Sequence, residues 1–261
     1  MESIIVDLEK LCNPAEPLTF LAEDGAHTEE GLEIISKIKE VLAADEGLIA
    51  LAAPQIGINK RIFCIRFNDQ IKTFINPIIT KKTGLKITVE TCSSMPGKEI
   101  VIGRPEELTV VYYNDEFNYE DNKLLGAAAG IFDQQAQLLD GVLPHELGLV
   151  SDIEADGKIE ETELGEIIAF YKDTFLPSRL EVLNNAISEN EAAAKHFKEL
   201  KFTENVINGR IQVLEPEAEA AKRIKAKKAA NKAIASMRGS QKAQQKAEFT
   251  NYIKNISKRA H

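Results

Sequence analysis

Apolar residues recur at helical spacing over residues 28–51, at Leu32, Ile35, Ile38, Val41 and Leu42, so one face of a helix would be buried. Thr28, Glu29, Glu30 and Gly31 open the segment with a capping pattern, which satisfies free N–H groups of a first turn. The pattern then changes. Residues 61–67, 73–75, 85–90 and 108–113 are short runs of β-branched and aromatic residues, the last ended by Asn114 and Asp115, and they read as strands. Residues 126–139 are rich in Ala and Gln, with Gly130 as the one internal breaker, and suit a central helix. Helix, strands, then a helix packed on them is an α+β layout.

Helical spacing resumes beyond residue 176, at Leu180, Leu183 and Ile187 and then at Ala193, Ala194, Phe197 and Leu200. Asn208-Gly209 marks a turn. Glu215-Pro216-Glu217 opens a long Ala/Lys run whose stripe of Ala221, Ile224, Ile234 and Met237 is too thin to bury against its own domain. Arg238-Gly239-Ser240 interrupts it. Near the end, Phe249, Tyr252, Ile253 and Ile256 fall at i, i+3, i+4 and i+7, an amphipathic anchor for a partner's groove.

Composition permits a core and argues against a membrane protein. Of 261 residues, 44% are hydrophobic, mean hydropathy is −0.20, and no apolar run reaches spanning length. Met1 to Asp7 lack the basic and apolar regions of a signal peptide. Cys12, Cys64 and Cys92 are odd in number and widely spaced, which suggests a reducing compartment. Charge is uneven. From Lys222 onward there are twelve Lys or Arg and one acid, a net of +11, which leaves 20 bases and 40 acids before it, a net of −20. Such asymmetry reports on partners rather than fold.

Three motifs carry the chemistry: Leu51-Ala52-Ala53-Pro54-Gln55, then Glu90-Thr91-Cys92-Ser93-Ser94-Met95-Pro96-Gly97, then Asp133-Gln134-Gln135-Ala136-Gln137-Leu138-Leu139-Asp140-Gly141. In order and spacing they resemble the signatures of the peptide deformylases. That family has a Gly-x-Gly-Leu-Ala-Ala-Pro-Gln strand end, a Glu-Gly-Cys-Leu-Ser turn and a Gln-His-Glu-x-Asp-His helix. The resemblance covers residues 1–145 and implies antiparallel sheets around a central helix there; the helical spacing beyond residue 176 adds a helical C-terminal extension. It also implies a metal held by the Cys and two His, with the Glu between them handling the proton.

The register places Gln134 at the first His, Gln135 at the Glu, Gln137 at the Asp and Leu138 at the second His. Leu48 and Ala50 stand at the first motif's glycines, Thr91 and Ser93 at the Gly and Leu of the second. A catalytic metal needs about three protein ligands. A neutral amide oxygen serves a thiophilic metal poorly, and Leu offers nothing. Gln135 has no useful basicity. His145 lies past the motif helix, while His27 and His196 lie outside all three motifs. The expectation is a pseudoenzyme without catalytic cofactor, its vestigial pocket made of Gln55, Glu90, Cys92, Gln134, Gln135 and Leu138. Gln55 and Glu90 read either as remnants of that pocket or as hydrogen-bond partners of neighbouring strands. Cys92 reads as a small buried side chain.

A different signal follows. Residues 152–163 resemble the twelve-residue EF-hand calcium loop, with Asp152, Glu154, Asp156, Lys158 (through its carbonyl), Glu160 and Glu163 as ligands and Gly157 at the sharp turn. Glu154 is longer than the usual ligand there, residues 144–150 are short for an entering helix, and a helix over 164–171 follows. A polar turn capping an acidic helix fits the same residues. The expected division is 1–145 for the deformylase-like domain, 146–172 for the acidic loop and helix, 173–214 for a helical region and 215–261 for a basic arm.

Three functions fit these features. The first is a structural or assembly protein of a large complex, such as a virion ring or connector, binding other protein subunits through Phe249, Tyr252, Ile253 and Ile256. It rests on analogy with deformylase-like sequences of bacteriophages. The second is nucleic-acid or ribosome binding through the basic tail, with steep salt dependence. The third is a working deformylase-type hydrolase. The expected location is cytoplasmic or in a virion, without secretion or a membrane.

Overall fold

Two antiparallel sheets organise the described residues of the computed structural model, which are 4–19, 26–67, 70–152, 161–187 and 191–207. All of these belong to the first of the chain's two units, Met1–Leu214. The strands are β1 (Ala50–Ala52), β2 (Ile62–Phe67), β3 (Gln70–Thr83), β4 (Lys86–Glu90), β5 (Lys98–Arg104), β6 (Glu107–Tyr113), β7 (Tyr119–Leu125) and β8 (Leu149–Asp152). One sheet runs β1-β2-β3-β6-β7 and the other β4-β5-β8. The helices are α1 (Ala26–Ala44), α2 (Ala127–Leu139), α3 (Pro144–Leu147), α4 (Glu161–Phe170), α5 (Leu176–Ala186) and α6 (Glu191–Ile207), with a π-helical turn at Tyr171–Phe175. The α+β layout expected from the sequence, antiparallel sheets with a helix packed on them, is what the described residues adopt.

Apolar spacing suggested a helix as far as residue 51, but α1 stops at Ala44. Turn chemistry wins there: Asp45 accepts the Gly47 N–H on its side chain at 2.8 Å and the Leu48 N–H on its carbonyl at 3.2 Å. That ends the helical ladder and releases Ala50–Ala52 to pair with β2. β5, β7 and β8 were not foreseen. β7 carries Glu120, Asp121 and Lys123 in its middle, which hides its strand pattern and protects an outer edge from further pairing.

α2 is the central element and contacts strands of both sheets. It follows Gly126 at φ 57°, backbone that Gly adopts without strain. Phe132 stands edge-on to Phe63 and Phe74, with centroids 5.0 and 5.1 Å apart, an attractive aromatic geometry. Leu138 and Leu139 complete that cluster. α5 and α6 close a separate cluster, where Leu176, Leu180, Leu183 and Leu200 cover Cys92, Met95, Ile100 and Ile102.

The approach to the calcium-loop sequence is not a helix. α3 spans four residues and leads into β8, whose last residue, Asp152, pairs with Lys98 of β5. Glu154, Asp156, Lys158, Glu160 and the side chain of Glu163 lie outside the described residues, so the calcium expectation falls there. So does the arm 215–261, with Phe249, Tyr252, Ile253 and Ile256. No helix among the described residues is long and apolar enough to cross a membrane.

Candidate functional site

The three motifs converge on one cleft. Its volume is about 610 Å³, and its walls include Leu48, Ala50, Gln55, Glu90, Thr91, Cys92, Gln134 and Gln135. β1 and β4, each the outermost strand of its sheet, supply Ala50 and Glu90. Five of the six pocket residues expected from the sequence therefore meet. Leu138 is the exception: it is 1% exposed and packs in the aromatic cluster beneath.

Gln55 joins the first motif to the second. Its Oε1 accepts the Ala52 N–H at 2.9 Å, and its Nε2 donates to the hydroxyls of Ser93 at 2.9 Å and Ser94 at 3.1 Å. The Met95 N–H returns to the Cys92 carbonyl at 2.8 Å, folding the second motif into a tight turn. Cys92 is buried in the cluster under α5, and burial pushes its thiol above the ordinary cysteine range, which disfavours the reactive thiolate.

The polar interior is an ion-pair chain that motif reading missed. Arg104 donates to Glu90 from Nε at 2.9 Å and again from Nη2, and its Nη1 reaches Asp133 at 3.0 Å and Gln137 Oε1 at 2.6 Å. Lys82 reaches Asp133 Oδ1 at 2.8 Å and also pairs with Glu199 of α6. Burial alone would raise the Asp133 pKa, yet Lys82 and Arg104 outweigh it and hold this carboxyl below the usual Asp range. The same contest leaves Lys82 and Arg104 raised, because their carboxylates outweigh burial. Buried charges persist only when paired and hydrogen-bonded in this way.

The amides of the third motif hang from this chain. Gln134 Nε2 donates to Glu90 Oε1 at 2.9 Å and to the Thr91 carbonyl at 3.1 Å. Gln135 Nε2 donates to Gln134 Oε1 at 3.3 Å. Of the histidines, His196 on α6 lies 3.4 Å from Glu146, and His145 sits on α3; neither lines the cleft.

Sheets of this topology around a helix bearing the third motif define the deformylase class of fold, and a family model of polypeptide deformylases matches residues 6–147. The chain belongs to that family. It is 34% identical over 124 residues to a peptide deformylase of Pseudoalteromonas translucida, which covers 45% of this chain and 74% of that one. It is 36% identical over 100 residues to one of Clostridium botulinum, covering 36% and 68%. The crystal structure of the Thermotoga maritima peptide deformylase is similar with a TM-score of 0.51 at 29% identity, over 56% of this chain and 97% of that one. A probable peptide deformylase from Synechococcus phage S-SSM7 gives 0.50 at 28% identity, over 56% and 98%.

These relatives correct one expectation. The substitutions at residues 134, 135 and 138 suggested a protein that is not an enzyme, but the proteins this chain resembles are named peptide deformylases, which are enzymes. Substituted signature positions do not by themselves show that catalysis is lost.

Deformylases use a metal ion, and the residues at the family's metal positions do not fit one here. Gln134 directs its N–H donors to Glu90 and Thr91, Leu138 is sealed in the core, and the Cys92 thiol is held protonated by burial. Among the described residues no group of three or more His, Cys, Asp or Glu is placed to hold an ion.

Proposed function

We propose that this chain works on peptide N-termini, held extended in the cleft between β1 and β4. One observation carries the reading: an open cleft of about 610 Å³ lies where the outermost strands of two sheets face the three motifs. An outer strand offers backbone N–H and C=O groups to an added strand, so main-chain hydrogen bonds give affinity and side-chain pockets give selectivity. Leu48, Ile49, Met95 and Ile131 supply apolar wall for a first side chain. The peptide deformylases it resembles act on peptides by name.

Gln55 locks the Ser93–Ser94 turn against the end of β1, which keeps the cleft's shape without a ligand. The test is titration with a short Met-initiated peptide, followed by hydrogen exchange and by formate release from its N-formyl form. Protection of the β1 and β4 amides supports the reading, and formate release extends it to the reaction for which the relatives are named. Absence of both binding and protection overturns it.

A further inference from the structure

A second concavity lies apart from the motif cleft and shares no wall residue with it. It is a groove of about 390 Å³. Its apolar wall is Leu85 and Ile87 around the start of β4, Ile168 of α4, and Val206 and Ile207 at the end of α6. The last three stand beyond residue 147, where the family match ends.

The groove has a local cause. Gly103 of β5 pairs with Ile87, and a Cβ on it would stand 3.0 Å from both Leu85 and Thr203 of α6. The bare backbone lets α6 close on the sheet there. Tyr171, buried at the start of the π-helical turn, accepts the Gly103 N–H on its hydroxyl at 3.4 Å and donates to the Leu147 carbonyl at 3.2 Å. That fixes the turn and leaves the next residue, Lys172, exposed at the groove.

Charge here runs against the rest of the chain. Lys86 and Lys172 join the wall and no acid does, among the described residues, although acids outnumber bases 40 to 20 before Lys222. Neither lysine has an ion-pair or hydrogen-bond partner among the described residues. The last turn of α6 contributes about half a negative charge through its carbonyls, which two ammonium groups exceed. The volume falls within the range of small-molecule sites, about 300–1,000 Å³, where apolar walls bind and a few polar groups orient.

We propose that this groove binds a single-chain aliphatic anion of the fatty-carboxylate kind, its chain along the five aliphatic side chains and its head at Lys86 and Lys172. An aliphatic chain asks no hydrogen bond of such walls, and each methylene buried tightens binding about three- to fourfold. The site is independent of the peptide reading above.

Calorimetry with the full chain compares decanoate, hexanoate and decyltrimethylammonium. Decanoate is expected to bind one per chain and at least about tenfold tighter than hexanoate, which has four methylenes fewer. The cation carries the same tail and should bind at least about tenfold more weakly, although an acid-rich chain would favour it in unspecific association. Lys86→Gln with Lys172→Gln should weaken decanoate about three- to tenfold while keeping its advantage over hexanoate. Both side chains are exposed, so the double variant leaves the core intact. Methyl NMR should place the decanoate shifts at Ile87, Ile168 and Ile207. Equal binding of anion and cation, an unchanged affinity in the double variant, shifts confined to Ile49 and Ile131 of the motif cleft, or no binding at all would each overturn the site.

Discussion

Asp133 and Gln137, one turn apart on α2, both reach Nη1 of Arg104, at 3.0 and 2.6 Å. Residues at this spacing share a helix face. The signature resembled by the third motif has its amide at the first of these positions and its carboxylate at the second, and here the two are interchanged. The guanidinium is served by the same pair of groups from opposite ends of a turn. Asp133→Gln alone should destabilise by about 3 kcal/mol, because Arg104 and Lys82 each lose a buried carboxylate. Adding Gln137→Asp should recover at least half of that loss. Urea unfolding of both singles and the double gives the coupling, and strictly additive losses would refute the interchange.

Arg104 is the hub of the same network, its side chain 3% exposed. Arg104→Met leaves the buried Asp133 and the half-buried Glu90 with one partner fewer each, and the expected cost is about 3–5 kcal/mol. Glu90→Gln in that background should restore part of it, since a neutral amide is cheaper to bury than an orphaned carboxylate. A second substitution that made matters worse would show that Glu90 is held by something other than Arg104.

Much of the fold could be read from the chain, and the reason is local. The strand runs around Phe63, Phe74 and Val110 sit in a buried sheet, so composition and burial agree. β5 escaped because Arg104 and Gly103 end it with residues that read as a loop, although Arg104 is buried by its ion pairs. The site was half legible. Gln55, Glu90, Cys92, Gln134 and Gln135 meet at the cleft as their motifs implied, but Leu138 turns into the core. Lys82 and Glu199 were invisible because their partner Asp133 is distant from both in sequence. Lys82 itself lies in the polar run Thr80-Lys81-Lys82-Thr83, so nothing in its sequence surroundings signalled burial against a counter-ion.

Gly141 separates two effects that glycine substitutions usually mix. Its φ is +71°, and a Cβ there would lie 2.4 Å from the Cys12 carbonyl oxygen, whereas Gly126 at φ +57° has open space within 4 Å. Gly126→Ala should therefore show only the penalty of its positive-φ backbone, about 1–3 kcal/mol. Gly141→Ala adds overpacking, so a total of about 2–5 kcal/mol is expected. Thermal unfolding of the two variants measures the difference. Equal losses would mean that the segment at Cys12 yields freely and does not pin the end of α2.

Acid should weaken the protein in two separate windows. Burial pushes the His196 pKa below the ordinary histidine range; Glu146 and Glu199 oppose the shift, while Arg179 and Lys195 reinforce it. Its Nε2 has no hydrogen-bond partner among the described residues, although Glu146 Oε2 is 3.4 Å away. That oxygen also accepts the Leu143 N–H at 2.8 Å. A histidine kept neutral by the fold binds its proton less readily than in the unfolded chain. Stability is then full above the unfolded value of about 6.5 and is lost as pH falls through it toward the lower folded value. Asp133, held below the usual Asp range, gives the second loss only as pH falls below about 3.9. Unfolding midpoints between pH 8 and pH 5 should decline, and His196→Gln should flatten that decline while leaving the lower window intact. A midpoint that rises on acidification would mean that Glu146 captures a charged His196 and that the pair stabilises the α3–α6 contact instead.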